Sequence, residues 1–511
     1  MANIIAAGLL GLPVFVMGGC GVRIGQQALG DAAQFAQPRP VTAEVRAQEF
    51  WQREHILPVR HGREHVLLDP LAVQQHPLLV TTGTKVPGLA RVSEQELVAA
   101  GEMESRDVSP QAILPAMKAL QTTTASRPFS KIDPKIRDLV LIFLCIKATF
   151  LLLVFLNQQM LPFNRPLYVA NLVREIQGLP DFMRAFNTWD TQHYLILAEK
   201  GYGTNAMSNA FYPLYPWLIR LASPVFNNSL VAALVVANLV SLLVPVYMYK
   251  LAGLFTSEDR AFRATLLLLA FPTAFFLSVA YSEALFLALT LMAFFYLYTK
   301  DVLKASLCCL LLPLVRAQGL LMVVPILWMA WTTFAAAEGS MPEKLKAAAR
   351  AYAFPVLASL LGIALYLLVM KTQTKDFLTG FEAQAYFAAQ NSIANLFNPY
   401  DWFMRNFVEI KLYFHGFSES LMDRVFFFVF LPALVGIFLT QDKALFFYAA
   451  MTMLIPALSG TFMSYTRFLL VVFPIPLLLS KDPRLFPPVL ILMFSIQIVF
   501  FLSHTGGFWI A

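Results

Sequence analysis

Long apolar runs follow one another from residue 138 to the end of the chain and predict a bundle of membrane-spanning helices. A helix needs roughly 20 apolar residues to cross a bilayer, and the shorter runs are expected to be kinked or tilted. The fold class predicted from this pattern is all-α and polytopic, with a large first extracytoplasmic loop. We predict about eleven spans, at residues 138–158, 229–250, 261–277, 280–299, 302–316, 317–336, 350–371, 424–440, 444–459, 464–480 and 486–504.

A polar stretch precedes the spans and shows no sustained hydrophobic period. It is rich in Gln, Pro, Arg and Glu, so we expect residues 1–136 to be a loosely ordered cytoplasmic extension and residues 137–511 to be the membrane domain. Residues 4–20 are apolar and could form a marginal span. No Lys or Arg precedes them, which argues against a secretory signal.

One motif in this extension, His61-Gly-Arg-Glu64-His65, matches the inverted zinc-protease pattern H-x-x-E-H. Gly62 would lie inside the supposed ligand helix and no third ligand is evident. The four cysteines also lack C-x-x-C or Cys/His metal spacing. We therefore expect no metal site, no cofactor and no disulfide framework.

Basic residues lie beside the apolar spans and set the predicted orientation. The alternation of spans with basic loops places residues 160–228 and 372–422 outside the cytoplasm. It also places Asp190, Glu283, Arg316 and Arg467 at or near the exterior ends of spans. The cytoplasmic loops would carry Lys250, Arg260, Arg263, Lys300, Lys304, Lys344, Lys346, Arg350, Lys443, Lys481 and Arg484.

The composition supports a multi-pass membrane protein and excludes a soluble one. Apolar residues make up 58% of the chain and charged residues only 14%. The net charge of +7 comes from basic residues beside the spans, so it reflects membrane topology and not nucleic-acid binding. Lys147 lies near the middle of the first span, where an unpaired charge is costly and usually marks function or a buried partner.

The first predicted exterior loop concentrates polar and aromatic residues. Thr188 could cap a helix, which would put Trp189 and Asp190 in its first turn, with His193 and Tyr194 on the same face as Asp190. The helix dipole favours the charged form of a carboxylate in the first turn, so Asp190 could accept a proton. An amphipathic interfacial helix with an aromatic belt is the alternative interpretation.

A Tyr-Pro run follows, Phe211-Tyr212-Pro213-Leu214-Tyr215-Pro216. Its prolines cannot lie inside a regular helix, so we expect a short irregular or re-entrant segment against the bilayer.

Four blocks of the sequence together resemble a known family, the GPI mannosyltransferase 2, or PIG-V-like, glycosyltransferases of the GT-C fold. The resemblance covers residues 137–335 well and the last third of the chain loosely. The blocks are Trp189-Asp190-Thr-Gln-His193-Tyr194 through Gly201-Tyr202, Ala210-Phe211-Tyr212-Pro213-Leu-Tyr-Pro216, Phe271-Pro272 through Ala280-Tyr281-Ser282-Glu283-Ala284-Leu285-Phe286, and Arg316-Ala-Gln-Gly319-Leu320, with Thr466-Arg467-Phe468 as a looser match.

The resemblance implies a transferase that moves a sugar, usually mannose, from a polyprenyl-phosphate carrier to an acceptor hydroxyl outside the cytoplasm. Asp190 would be the catalytic base of an inverting displacement. Cationic side chains, and not a metal, would stabilise the leaving phosphate. The candidates are Lys147, Arg316 and Arg467; Lys147 stands where the family tends to have an arginine and lacks its bidentate fork.

The remaining candidate residues would bind substrate. We expect His193 and Tyr194 to orient Asp190 or the sugar, and Asp190 to face the positive charges across a gap wide enough for one sugar ring. Glu283 would pair with Arg316 or bind a sugar hydroxyl. The full set of substrate-binding candidates is Trp189, His193, Tyr194, Tyr202, Tyr212, Tyr215, Tyr281 and Glu283, with Tyr212 and Tyr215 lining the acceptor cleft.

The residues are compatible with more than one acceptor and with more than one membrane. A glycolipid, a glycan or wall polymer and a protein are all compatible with the residues, as is a cell membrane or, alternatively, the lumenal side of the endoplasmic reticulum. Two other function classes compete: a secondary transporter or lipid flippase, and a non-catalytic membrane partner of an enzyme. The transporter class predicts inverted repeats, and we find none in the sequence.

Overall fold

The computed structural model describes residues 60–61, 64–65, 133–160, 162–174, 181–410, 413, 416–417 and 419–510. The chain divides into two compact units, residues 1–126 and 127–511. The predicted span at residues 4–20 and most of the predicted extension lie outside the described residues.

Within the first unit, the described residues form two short antiparallel strands, Arg60–His61 and Glu64–His65. His61 lies opposite Glu64, and Arg60 lies opposite His65. The H-x-x-E-H motif therefore falls on paired strands and not on the helix that zinc-protease ligands use.

The second unit is built from helices. Its α-helices are Pro134–Met160, Arg165–Ala170, Asp181–Arg184, Asp190–Lys200, Leu214–Phe226, Ser229–Ser241, Leu243–Gly253, Glu258–Leu269, Glu283–Tyr298, Val302–Leu311, Val323–Ala336, Met341–Thr374, Thr379–Glu382, Pro399–Phe403, Leu421–Thr440, Lys443–Leu458, Tyr465–Phe468, Pro474–Leu479 and Phe486–Thr505. Short 3-10 helices lie at Met207–Ala210, Ala274–Leu277, Leu312–Leu314, Ala317–Met322, Ala383–Tyr386, Ile393–Phe397 and Leu469–Val471, and a π-helix at Met404–Val408.

By length and composition, six helical segments of the described chain are able to cross a membrane. They are Pro134–Met160, Ser229–Gly253, Ala317–Ala336, Met341–Thr374, Leu421–Thr440 and Phe486–Thr505. Three shorter apolar helices accompany them, Glu283–Tyr298, Val302–Leu314 and Lys443–Leu458. The predicted all-α, polytopic membrane architecture is confirmed.

Two of the predicted spans, 261–277 and 464–480, break near a proline. The run at 261–277 forms a helix that ends at Leu269, and Pro272 lies in the turn that follows it. The run at 464–480 breaks into three short pieces around Val472 and Pro474. Proline lacks the backbone N–H of a helix and its ring clashes with the preceding turn, so an uninterrupted helix through these positions is disfavoured.

The helix Glu283–Tyr298 lies at the centre of the second unit. Most of its 16 residues are buried, and its sequence is apolar on every side, as expected for a helix surrounded by protein. Its first residue is Glu283, a carboxylate that is 1% exposed. A buried charge of this kind requires a partner, and the partners define the site described next.

Candidate active site

Asp190 lies in the first turn of the helix Asp190–Lys200, as predicted, but the residue at the N-cap position differs from the expected Thr188. Trp189 occupies the cap position with φ +51°, and its side chain makes no capping hydrogen bond. The Thr188 hydroxyl instead lies 3.3 Å from Nε2 of His504. The prediction that Thr188 caps this helix is therefore wrong, because its hydroxyl contacts His504 and not a backbone amide of the helix.

Four charged side chains form a continuous chain of ion pairs in the interior. Nη1 of Arg467 donates a hydrogen bond to Oδ2 of Asp190 at 2.6 Å. Nε of Arg467 lies 3.2 Å from Oε1 of Glu283, and Nη1 of Arg316 donates to the same carboxylate oxygen. The structure thus brings together Asp190, Glu283, Arg316 and Arg467, which come from four separate parts of the sequence.

This chain is almost sealed from solvent. The side chains of Asp190 and Arg467 are 11% and 7% exposed. Oε2 of Glu283 and Nε of Arg467 are buried and have no hydrogen-bond partner among the residues that the structure describes. Nε of Arg467 keeps its ion-pair contact with Glu283, whereas Oε2 of Glu283 has no such contact within these residues. Buried polar atoms are rarely left unpaired, so this oxygen is a candidate for a contact with a substrate.

The predicted separation between Asp190 and the cations is wrong. Asp190 and Arg467 are in direct contact at 2.6 Å, with no gap for a sugar ring between them. Opposite charges in a poorly solvated site attract strongly, which favours direct contact over separation. A substrate that reaches Asp190 must therefore enter beside this pair or replace one half of it.

The backbone of Thr466, the residue before Arg467, is held by buried hydrogen bonds. Arg467 lies in the short helix Tyr465–Phe468, which begins after Ser464 at φ +63°. The Thr466 amide donates to Oδ1 of Asp423 at 2.7 Å, and the Thr273 hydroxyl donates to the Thr466 carbonyl at 3.1 Å. Asp423 is fully buried. Sequence reasoning missed it, although an acidic residue at the start of an apolar run is a usable signal.

Tyr194 and His193 leave the same helix but have different surroundings. The Tyr194 hydroxyl lies 2.7 Å from that of Ser282, which also accepts a hydrogen bond from Nη1 of Arg316 at 3.4 Å. His193 instead bonds Ser208 through Nδ1 at 2.9 Å, and its ring stacks on Phe211. Tyr194 is therefore linked to the ion-pair chain, whereas His193 is held by Ser208 and Phe211.

The other predicted substrate-binding aromatics lie in packed contacts. The Tyr202 hydroxyl donates to the Phe211 carbonyl, Tyr212 stacks on Tyr366, and the Tyr215 hydroxyl donates to the Ala233 carbonyl. Trp189 packs against Trp509 and Phe417. Tyr281 differs from these, because its ring lies 5.4 Å from the Arg467 guanidinium and forms a cation-π contact with it.

Part of the chain, including three of the four ion-paired residues, matches a known family. Residues 136–382 match the model of the mannosyltransferase (PIG-V) family. The predicted resemblance to PIG-V proteins is thereby confirmed. The PIG-V match contains Asp190, Glu283 and Arg316. Arg467 and Asp423, which complete the site, lie beyond it.

No curated protein matches the chain. A similar solved structure is that of the Archaeoglobus fulgidus oligosaccharyltransferase, tethered by a disulfide bond to an acceptor peptide containing the NVT sequon. It shows 12% sequence identity and a TM-score of 0.38, and the match covers 72% of this chain and 55% of that one. The chain thus spans little more than half the length of that protein.

Lys147, within the PIG-V match, lies in a polar cluster of its own. Its ammonium donates to Oδ1 of Asn238, the Leu277 carbonyl and the Ser278 hydroxyl at 2.7–3.0 Å. These three bonds use all the donors of an ammonium group. Leu277 and Ser278 precede the turn that leads to Ser282 and Glu283, so Lys147 supports the backbone beneath the site.

Replacing Lys147 with methionine tests this arrangement. We expect the melting temperature to fall by a few degrees, because three half-buried acceptors lose their donor. We expect the KM for the sugar donor to change little. Thermal unfolding of the purified protein and initial-rate kinetics measure the two quantities. A raised KM with an unchanged melting temperature would contradict this view and support the predicted phosphate contact.

Protonation of His193 makes the stability of the folded protein depend on pH. Burial lowers the pKa of His193 from its ordinary value of 6.5 to about 4, although Asp190 opposes the shift. Between these values the unfolded chain binds more protons than the folded one, so stability falls as the pH drops from 6.5 towards 4. The full effect is on the order of 3 kcal/mol.

We expect His193→Asn to show a shallower fall in melting temperature than the native protein over this pH window. The two proteins should respond alike above pH 6.5, where His193 is neutral in both the folded and unfolded states. Thermal melts at half-unit pH steps provide the measurement. Parallel curves across the whole window would mean that His193 makes no such contribution.

Among the described residues, no cluster of three or more His, Cys, Asp or Glu side chains could hold a metal ion. The ion-pair chain and Tyr281 offer carboxylates, guanidinium groups and an aromatic ring. A carboxylate can accept a proton, and a guanidinium group can bind phosphate oxygens through parallel hydrogen bonds.

Proposed function

We propose that this chain is an integral-membrane glycosyltransferase that moves a sugar, of the mannose class, from a polyprenyl-phosphate donor to an acceptor hydroxyl. The observation that supports the proposal is the buried chain Asp190–Arg467–Glu283–Arg316. It sets a potential base beside guanidinium groups that suit a phosphate. The PIG-V match over residues 136–382 supports mannose as the sugar.

In this proposal Asp190 removes the proton of the acceptor hydroxyl as its oxygen attacks the anomeric carbon. The bond between that carbon and the phosphate oxygen breaks, and the phosphate leaves with the electron pair. A single displacement inverts the anomeric configuration and needs one carboxylate, whereas a retaining mechanism would need a second as nucleophile. The guanidinium of Arg467 stabilises the charge that develops on the phosphate.

The contact between Asp190 and Arg467 gives the donor a second role. In this structure Oδ2 of Asp190 accepts a hydrogen bond from the Arg467 guanidinium, so that oxygen is occupied before the acceptor hydroxyl arrives. Donor phosphate oxygens compete with Asp190 for the same guanidinium. Donor binding would then release the carboxylate for the acceptor hydroxyl.

The unpaired Oε2 of Glu283 is suited to accept a hydrogen bond from a hydroxyl of the transferred sugar. The phenol of Tyr194 and the hydroxyl of Ser282 lie beside it and can complete the recognition of sugar hydroxyls. We place the reaction on the extracytoplasmic side of a cell membrane. The acceptor is a glycolipid, a glycan or a protein.

The test is transfer by the purified, full-length chain in lipid vesicles. A panel of polyprenyl-phosphate sugars and nucleotide sugars would be offered with a mixed set of acceptors. We expect product from a polyprenyl-phosphate mannose and none from nucleotide sugars, with the inverted anomer by NMR. Use of a nucleotide sugar, or a retained anomer, would refute the proposal. Movement of the lipid-linked sugar across the bilayer without product would favour the flippase class.

A further inference from the structure

The backbone that leads into Asp190 adopts a conformation that its sequence does not favour. Trp189 has φ +51° and ψ −123°, close to the values of the first central residue of a type II′ turn, where glycine is usual. Bulky residues rarely adopt such a conformation unless the surrounding structure imposes it. Trp189 is buried, so the packing around its ring is what can impose it.

That packing comes from the opposite end of the sequence. The Trp509 ring meets the Trp189 ring edge to face, with centroids 5.1 Å apart and an angle of 86° between the planes. Nε2 of His504 lies 3.3 Å from the hydroxyl of Thr188. Each of the two residues before Asp190 is therefore contacted by a residue of the segment 504–510.

The segment 504–510 is itself fixed in place. The Gly506 carbonyl accepts a hydrogen bond from the Asn164 amide at 2.8 Å. Gly507 has φ +83°, and a Cβ atom added there would approach the Phe163 ring to 3.0 Å. These contacts tie the segment to the chain that follows the first membrane helix, so it can act as a rigid support.

We infer that residues 504–510 form a positioning element for Asp190. His504 and Trp509 hold Thr188 and Trp189 in the strained turn, and this turn directs the carboxylate at Arg467. The element lies outside the region that matches the PIG-V model, and neither residue touches the ion-pair chain through a hydrogen bond. Its effect on catalysis rests on the proposed function, but its effect on the turn does not.

The first test is independent of activity. The amides of Thr191 and Gln192 bond the carbonyls of Thr188 and Trp189, so their hydrogen exchange reports on the turn. In the full-length protein in lipid nanodiscs, we expect Trp509→Ala to raise exchange at these amides by about tenfold. Trp509→Phe keeps an aromatic edge and should stay near the native rate. Trp331→Ala, which removes an exposed tryptophan elsewhere, is the matched control.

The second test uses kinetics and supposes that sugar transfer has been demonstrated. A misplaced catalytic group can cost about 10²-fold in rate, so Trp509→Ala should lower kcat to that extent. The KM for the lipid-linked donor should stay within a factor of two of the native value, since Arg316 and Glu283 are untouched. A change in KM with native kcat would overturn the inference.

Native exchange at Thr191 and Gln192 in Trp509→Ala would also overturn it. If Trp509→Ala does not fold, His504→Phe decides the question, since it keeps a ring in the same place but removes the bond to Thr188. Local exchange should then rise without a general increase across the helix Glu283–Tyr298. An increase of equal size everywhere would show a merely structural role. If the native protein transfers no sugar, the proposed function fails while the exchange result still stands.

Discussion

Replacing Asp190 with asparagine is expected to slow sugar transfer by about 10²–10⁴-fold, the usual contribution of a general base. The amide has nearly the same shape and its oxygen can still accept the hydrogen bond from Arg467. It cannot take a proton from the acceptor hydroxyl. The loss should therefore appear in kcat, with donor binding largely retained, and initial rates with a lipid-linked sugar in vesicles measure it.

The matched control is Asp376→Asn, which changes an exposed carboxylate that bonds only a neighbouring backbone amide within the described residues. It should leave both kcat and the melting temperature close to native values. If Asp190→Asn transferred sugar at the native rate, Asp190 would not be the base. A loss confined to KM would instead assign it to substrate binding.

Replacing Arg467 with methionine is expected to have the largest effect on stability. The change leaves the carboxylate of Asp190 without its partner and removes one of the two cations beside Glu283. Breaking a buried ion pair in this way costs about 3–5 kcal/mol. Transfer should be lost as well, because the leaving phosphate then lacks the charge that stabilises it.

Arg467→Lys separates the two effects. It keeps the positive charge but cannot reach Asp190 and Glu283 at once, since an ammonium group lacks the guanidinium fork. We expect most of the stability to return while transfer stays well below native. Melting temperature and initial rates are the measurements, with the exposed Arg484→Met as control. Equal melting temperatures for Arg467→Met and native protein would show that the ion pair does not contribute to stability.

Much of the membrane architecture follows from local sequence. A helix such as Pro134–Met160 or Phe486–Thr505 is predicted by the length of its apolar run alone. The grouping of Asp190, Glu283, Arg316 and Arg467 also follows, because each lies at the end of an apolar run and the charge pattern puts those ends on one side. Polar residues in such positions must find one another or remain unpaired.

The details that create the site depend on contacts between distant residues. No local sequence pattern predicts that His504 contacts the hydroxyl of Thr188, or that the ring of Trp509 packs against Trp189. The direct contact between Asp190 and Arg467 is likewise set by tertiary packing, which sequence spacing does not encode. The prolines near residues 272 and 474 did carry a signal, and they show that an apolar run is not always one helix.

The distance along the chain between the two halves of the central ion pair matters for synthesis. Asp190 and Arg467 are 277 positions apart. At an elongation rate of about 5–20 residues per second, the arginine is made roughly 15–55 s after the carboxylate. Once residue 316 has been made, and until residue 467 follows, the nascent chain holds two acids of the site with only Arg316 to neutralise them. A chain whose translation stops between these two points therefore lacks the buried partner of Asp190 and carries two acids of the site against one arginine.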